Sequence, residues 1–312
     1  MSRLNPQMHP LLNSPVLEAL LAKNIYTVLN FIETEIKHIV AITNLQYKEV
    51  LGIRKHLINK YAAVTRDGVS YYNEIITKSA LFSTGIKRLD SILQGGFLTG
   101  NIYEICGLPA SGKTQLNLTL VRNVAQNSIL NVYYIDTKND FSGRKLKAVL
   151  DASKTDEEHV KQIMSQILVK KVDTVHDLIN TLYEIKNLLY TKTIKLRLII
   201  IDSLPPLFYS ISDFSKRYGL ITTMVNVMHV LAKEFHTAIV VTNVLTTSYE
   251  NTSTEDISGK IGLGKYWYNV PNTRLTIKKF ENSSECSIII AKSNRLLEGA
   301  QCNVKITDAG II

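Results

Sequence analysis

The stretch Gly107-Leu108-Pro109-Ala110-Ser111-Gly112-Lys113-Thr114, with Gln115 behind it, has residue types and spacing suited to one chemistry. It reads G-x-x-x-x-G-K-[ST], the phosphate-binding loop of nucleoside triphosphatases. Holding a polyphosphate takes several backbone N–H groups aimed at one point, and a tight glycine turn lets them converge. A helix must begin at the loop, so that its unpaired N–H groups and positive dipole end face the anion. In this pattern Lys113 reaches the β- and γ-phosphates and the Thr114 hydroxyl is a Mg²⁺ ligand. A second stretch, Leu198-Ile199-Ile200-Ile201-Asp202-Ser203, completes the set. An acid at the C-terminal tip of a central strand reaches the metal beside such a loop, so Asp202 is the second expected Mg²⁺ ligand.

These residues need a particular frame. Asn101 to Cys106 alternates as a short strand entering the loop, and Thr114 to Gln126 carries Leu116, Leu120, Val121 and Val124 at helical spacing. Apolar strand runs are expected at 130–135, 167–172, 196–201 and 238–242. They alternate with helical patterns at 142–150, 157–165, 174–189 and 219–235. Three closing strands are expected near 273–280, 285–291 and 302–306. Strand–helix alternation of this kind predicts an α/β core over residues 81–312, with a mostly parallel sheet and helices on both faces. Ahead of it, a loose tail at 1–10 and four amphipathic helical patterns make residues 1–59 a small helical N-terminal domain. Residues 60–80 read as a linker with a turn at Asp67-Gly68. Its Tyr61, Tyr71 and Tyr72 suit either anchoring on another subunit or packing on their own domain.

Composition narrows the classes. The 312 residues are 45% apolar, enough for a real core, and no run of eighteen apolar residues predicts a transmembrane helix, so no membrane is expected. The N-terminus lacks a signal-peptide pattern, which predicts an intracellular chain. Three scattered cysteines, Cys106, Cys286 and Cys302, suit buried thiols rather than a disulfide framework or zinc site. His159, His176, His229 and His236 lack ligand spacing, and Ser203 and Ser293 lack triad partners. A net charge of +9 permits an anionic partner such as nucleic acid without requiring one.

Taken together, the chain resembles the RecA-like recombinases of eukaryotes, and among them the paralogue lettered D. The carriers are Leu81 to Ile86 with Leu89-Asp90, Gly107 to Gln115, Tyr134-Ile135-Asp136, Leu198 to Ser203 and Val240 to Asn243. They continue in Gly264-Lys265-Tyr266-Trp267, Val270 to Arg274 and Ala291-Lys292-Ser293-Asn294-Arg295, of which Trp267 and 291–295 are the most D-like. The resemblance implies a RecA-like core that binds ATP and Mg²⁺. It further implies assembly with sister recombinase paralogues, one through the N-terminal domain and another through the core. Single-stranded DNA would be the nucleic-acid partner, during homologous recombination and double-strand-break repair in the nucleus. Somatic and meiotic roles stay open.

Departures from the family pattern bear on ATP hydrolysis. Lys138, in Asp136-Thr137-Lys138-Asn139, stands where active members place the glutamate that orients the attacking water. A protonated lysine is no base. Val244 stands where they carry a glutamine after Thr-Asn, and Ala110 replaces a common loop glycine. The expectation is an ATPase of RecA type with weak or no intrinsic hydrolysis, with Asp140 and Glu104 as acids that would serve as substitute base. For DNA contact, Tyr209 to Gly219 offers Lys216, Arg217 and Tyr218: cations for phosphate and rings for stacking, or else a mobile surface loop. Thr246 to Lys265 resembles the family's second DNA loop but carries Glu250, Glu255 and Asp256. Lys292 and Arg295 resemble groups that reach a neighbour's nucleotide in family filaments. The competing reading is an active DNA-dependent ATPase forming its own filament.

Overall fold

Polar caps set the helices of the N-terminal unit. The computed structural model describes residues 3–61, 65, 67–126, 130–152, 157–246 and 260–312, and these divide into two units, Met1–Asn73 and Glu74–Ile312. In the first, α1 (Ser14–Leu21) starts where the Asn13 side chain accepts from Val16 N–H, and α2 (Val28–Glu33) where Thr27 and Asn30 form a capping box. The helix α3 (Ile36–Thr43) ends at Asn44 in the left-handed conformation, and α4 (Tyr47–Tyr61) follows. Leu12, Leu20, Phe31, Ile39, Val50, Ile53 and Leu57 are fully buried between them.

The stretch expected to be a linker contains a helix, α5 (Gly68–Lys78), capped by the Asp67 carboxylate on Ser70 N–H. The boundary between units falls inside α5. It buries none of its residues, and Tyr71 and Tyr72 are exposed. Its sequence does carry a helical stripe, Val69, Tyr72 and Ile76, but no part of it is buried.

The second unit opens with β1 (Leu81–Phe82), α6 (Lys87–Ile92) and β2 (Phe97–Leu98), then interleaves parallel strands with helices before closing in strands. Its elements are β3 (Ile102–Gly107), α7 (Lys113–Gln126), β4 (Asn131–Asp136), α8 (Gly143–Asp151), α9 (Glu157–Ser165), β5 (Ile167–Lys171), α10 (Val175–Tyr190) and β6 (Leu196–Asp202). Next come α11 (Pro205–Tyr209), α12 (Phe214–Lys233), β7 (Ala238–Thr246), β8 (Lys260–Ile261) and α13 (Gly264–Asn269). The chain closes with β9 (Thr273–Lys279), β10 (Glu285–Ser293), β11 (Gln301–Thr307) and β12 (Gly310–Ile311).

The main sheet runs β12-β11-β10-β9-β3-β7-β6-β4-β5. From β9 to β5 neighbours pair in parallel, and β9 to β12 form an antiparallel wing. Both faces are covered, which explains the unbroken apolar run in β6. Leu198 and Ile200 face the core beneath α7 to α9, whereas Ile199 and Ile201 face the core beneath α10 and α12. Cys106 and Cys286 are buried free thiols. The helix α12 begins at Phe214, five residues before the expected start, because the Asp213 side chain caps it on Lys216 N–H. The strand tips of β3, β4, β6 and β7 share one edge, where an open α/β sheet binds its ligand.

Candidate nucleotide site

Every residue of β3 is buried, so the strand holds Gly107 rigidly at the sheet's edge. A Cβ at Gly107 would lie 2.5 Å from both the Ile277 carbonyl oxygen and Ser111 Oγ, which fixes glycine there. The turn passes through Gly112 at φ +103° and Ala110 at φ +58°. The latter is a left-handed conformation that a Cβ makes costly by about 1–2 kcal/mol. The 14-residue α7 then starts at Lys113 and aims its free N–H groups back into the loop.

Lys113 is only 7% exposed. Its Nζ donates to Gly107 O at 3.0 Å, Leu108 O at 2.7 Å and Ser111 Oγ at 3.4 Å. The ammonium thus folds back over the loop's own oxygens. Burial, reinforced by the nearby positive charge of Lys138, lowers its pKa to about 8, while Asp202 opposes the shift.

Asp202 ends β6 beside the loop. Its Oδ2 accepts from Thr114 Oγ1 at 2.8 Å and from the Tyr134 hydroxyl at 2.9 Å, and its Oδ1 accepts from Thr242 Oγ1 at 2.6 Å. Three neutral hydroxyls from α7, β4 and β7 converge on one carboxylate. Next to it, Ser203 Oγ is buried without a partner among the described residues. A hydroxyl and a carboxylate in contact, both hard oxygen donors at the mouth of a phosphate loop, fit Mg²⁺, and the orphaned Ser203 oxygen fits a further ligand or water there. Thr114 and Asp202 would hold the metal; the loop N–H groups, Lys113 and the half-buried Gln115 would hold the phosphates.

The tip of β4 lies alongside. Asp136 pairs in register with Asp202, and Thr137 N–H donates to Asp202 O at 3.0 Å. The Asp136 carboxylate accepts from the N–H groups of Lys138, Asp140 and Phe141, so it stabilises the turn and is unavailable as a base. Lys138 is exposed on that turn, and so is Asp140.

Glu104 is not a substitute base. It is 0% exposed, and its carboxylate accepts from Arg274 Nε at 2.5 Å, Trp267 Nε1 at 2.6 Å and Asn243 Nδ2 at 2.6 Å. A carboxylate paired with a guanidinium and closed to water has no route to a reacting proton. Of the two acids expected as substitutes, Asp140 alone remains open to solvent.

The other sequence candidates lie elsewhere. Lys216, Arg217 and Tyr218 sit in the first turns of α12 rather than in a loop. Lys216 is exposed, but the Arg217 guanidinium donates through Nε and Nη2 to Ile211 O, and Tyr218 packs edge-on against Tyr266 at 5.1 Å. Much of the second DNA-loop candidate, residues 247–259, lies outside the described residues. Lys292 Nζ donates to Tyr268 O, Asn269 O and Pro271 O at 3.0–3.1 Å, capping α13 within its own chain. Arg295 Nη2 donates to Leu93 O at 3.0 Å. Sequence reasoning missed Tyr134 and Thr242 as holders of Asp202; their signal is a polar side chain near the tip of an otherwise apolar strand.

Comparisons with known proteins agree with this architecture. Residues 76–312 match the family model described as Rad51, and residues 1–59 match the one described as RAD51D, N-terminal domain. The mouse DNA repair protein RAD51 homolog 4 is 28% identical, covering 99% of this chain and 96% of that protein. The bovine protein of the same name is 27% identical, covering 99% and 97%. In fold, the crystal structure of the RadB recombinase is similar, with a TM-score of 0.61 at 22% identity over 74% of this chain and 98% of that one. The chain belongs to the Rad51 family, with a RecA-like core preceded by a helical region of the RAD51D type.

Proposed function

We propose that this protein is an ATP-binding paralogue subunit of homologous recombination and DNA repair, one that holds its nucleotide far longer than it splits it. Bound magnesium would neutralise phosphate charge; the chain's residues hold and orient. Lys113 and the loop N–H groups bind the phosphates, Thr114 and Asp202 the metal, and no residue with a free carboxylate occupies the place of the water-orienting glutamate. The observation that carries the reading is that closure: Lys138 stands at that place while Asp136 and Glu104 are fully committed to structural hydrogen bonds.

In this reading nucleotide joins subunits. The N-terminal helical domain (1–59) holds one sister paralogue, and the core (81–312) holds another beyond the 60–80 connection. Single-stranded DNA is the shared substrate, and the compartment is the nucleus. The exposed Lys216, with the rings of Tyr209 and Phe214 (71% and 77% exposed), is the surface best suited to it. ATP bound only in the assembled state stabilises assembly by mass action.

Single-turnover hydrolysis by the purified full-length chain tests this, with and without single-stranded DNA. The expected result is tight ATP binding with turnover that DNA does not accelerate. A DNA-stimulated burst would instead favour an active filament-forming ATPase, with Asp140 as base.

A further inference from the structure

We propose that Lys138 is a second phosphate-binding cation, which makes this site selective for a nucleoside triphosphate over a diphosphate and lessens its reliance on a divalent metal. The proposal rests on the nucleotide reading above and goes beyond it: the residue that removes a base also adds a ligand.

Placement comes first. Lys138 leaves β4 two residues after Asp136, which stands level with Asp202 across the sheet. Thr137 between them is clamped to β6 twice, its Oγ1 donating to Ser203 O at 2.6 Å and accepting from Ser203 N–H at 2.8 Å. The residue therefore leaves the sheet beside the expected metal ligand, at the strand-tip edge that carries the phosphate loop.

The turn is also pre-organised. Asp136 holds Lys138, Asp140 and Phe141 by their N–H groups, and Asn139 takes the left-handed conformation at φ +59°. A cation on a fixed turn loses no backbone freedom on meeting a ligand, and pays only for ordering its own side chain. Among the described residues Lys138 makes no ion pair. Two ammonium groups at the mouth of one anion loop repel until an anion lies between them. The phosphate that gains most from a group beyond Lys113 is the terminal one, because the loop N–H groups already serve the inner two. A diphosphate leaves Lys138 without that contact.

The test is equilibrium binding of ATP and ADP to the full-length chain, in Mg²⁺ and in EDTA, for the wild type, Lys138→Ala and Lys138→Glu. Wild type should bind ATP in EDTA about tenfold more tightly than ADP, the contribution of one charge-assisted contact. Lys138→Ala should abolish that preference while changing ADP affinity less than about twofold, and Lys138→Glu should restore a strong Mg²⁺ requirement. Thermal melts confirm that the variants fold, as an exposed position predicts. An ATP-to-ADP ratio in EDTA that is the same in Lys138→Ala and wild type overturns the proposal while leaving the nucleotide reading intact. Wild type that binds neither nucleotide even in Mg²⁺ overturns both.

Discussion

Two buried carboxylates, Asp202 and Glu104, sit in neighbouring parts of one sheet and have opposite characters. Each accepts three side-chain hydrogen bonds. Around Asp202 all three donors are neutral hydroxyls, which rotate and surrender an oxygen to a metal at small cost. Around Glu104 they are a guanidinium, an indole and an amide, and the charge is cancelled by Arg274, itself 1% exposed. Arg274 Nη2 also donates to Tyr268 O at 3.0 Å, and its guanidinium stacks over the Tyr268 ring at 4.7 Å. The cluster pins α13 to the phosphate-loop strand. What separates a site from a strut is therefore the kind of donor, since burial and bond count are alike.

Substitution should expose this difference most strongly. Replacing Glu104 with Ala leaves Arg274 buried and uncompensated, and breaking such a pair typically costs about 3–5 kcal/mol. Denaturant unfolding should show a loss of that order. Asp202→Asn keeps polar atoms in the hydroxyl cage and should lower stability by only about 1 kcal/mol. Its effect belongs to the ligand: Mg²⁺-dependent nucleotide affinity should fall while metal-free affinity stays near wild type. If the two variants destabilise equally, the contrast between strut and site is wrong.

The site and the strut were also unequally legible in sequence. The phosphate loop and Asp202 are local patterns, strand–turn–helix and apolar strand ending in acid, and the structure places Thr114 and Asp202 in contact across 88 positions of chain. The hydroxyls of Tyr134 and Thr242 come from separate strands, so no spacing announces that they meet. Glu104 looks in sequence like any acid on a strand, and only the convergence of Trp267, Arg274 and Asn243 reveals its role. In α12, Gly219 suggested a helix start, whereas the Asp213 cap and open space around Gly219 let the helix run through it. The six-residue α13 follows Leu263 at φ +74° and is too short to carry a periodic pattern.

A middle-sized effect concerns pH. Lys113 falls from the ordinary lysine value of 10.5 to about 8, by burial first and Lys138 second. The folded value lies below the unfolded one, so between about pH 8 and 10.5 the unfolded chain binds more protons. The empty chain should then gain stability as pH rises through that window. Triphosphate affinity runs the other way, dropping by up to about tenfold per unit above pH 8 as the ammonium is lost. Nucleotide titrations at pH 7.5 and 9 check this. Lys113→Arg, whose charge does not titrate there, should flatten the dependence.

The smallest effect separates service within the chain from service to a neighbour. Lys292 places its ammonium on the carbonyls of Tyr268, Asn269 and Pro271, at the negative end of α13, with the Tyr268 ring 5.8 Å away. A cation at a helix C-terminus contributes about 1 kcal/mol at most here, because burial and the nearby Arg274 charge lower the Lys292 pKa and offset part of the gain. In a unit of this size that corresponds to roughly 2–4 °C in melting temperature. Lys292→Ala should therefore lower the melting temperature of the isolated chain by that amount, without nucleotide or partner present. Lys292→Arg should recover part of it, since a planar guanidinium reaches fewer of three converging carbonyls than an ammonium does. A side chain whose role lay only in a neighbour's nucleotide site would leave the isolated chain's melting unchanged. Because these three carbonyls close the same α13 that Glu104 anchors, Lys292→Ala combined with Glu104→Ala should destabilise by less than the sum of the two.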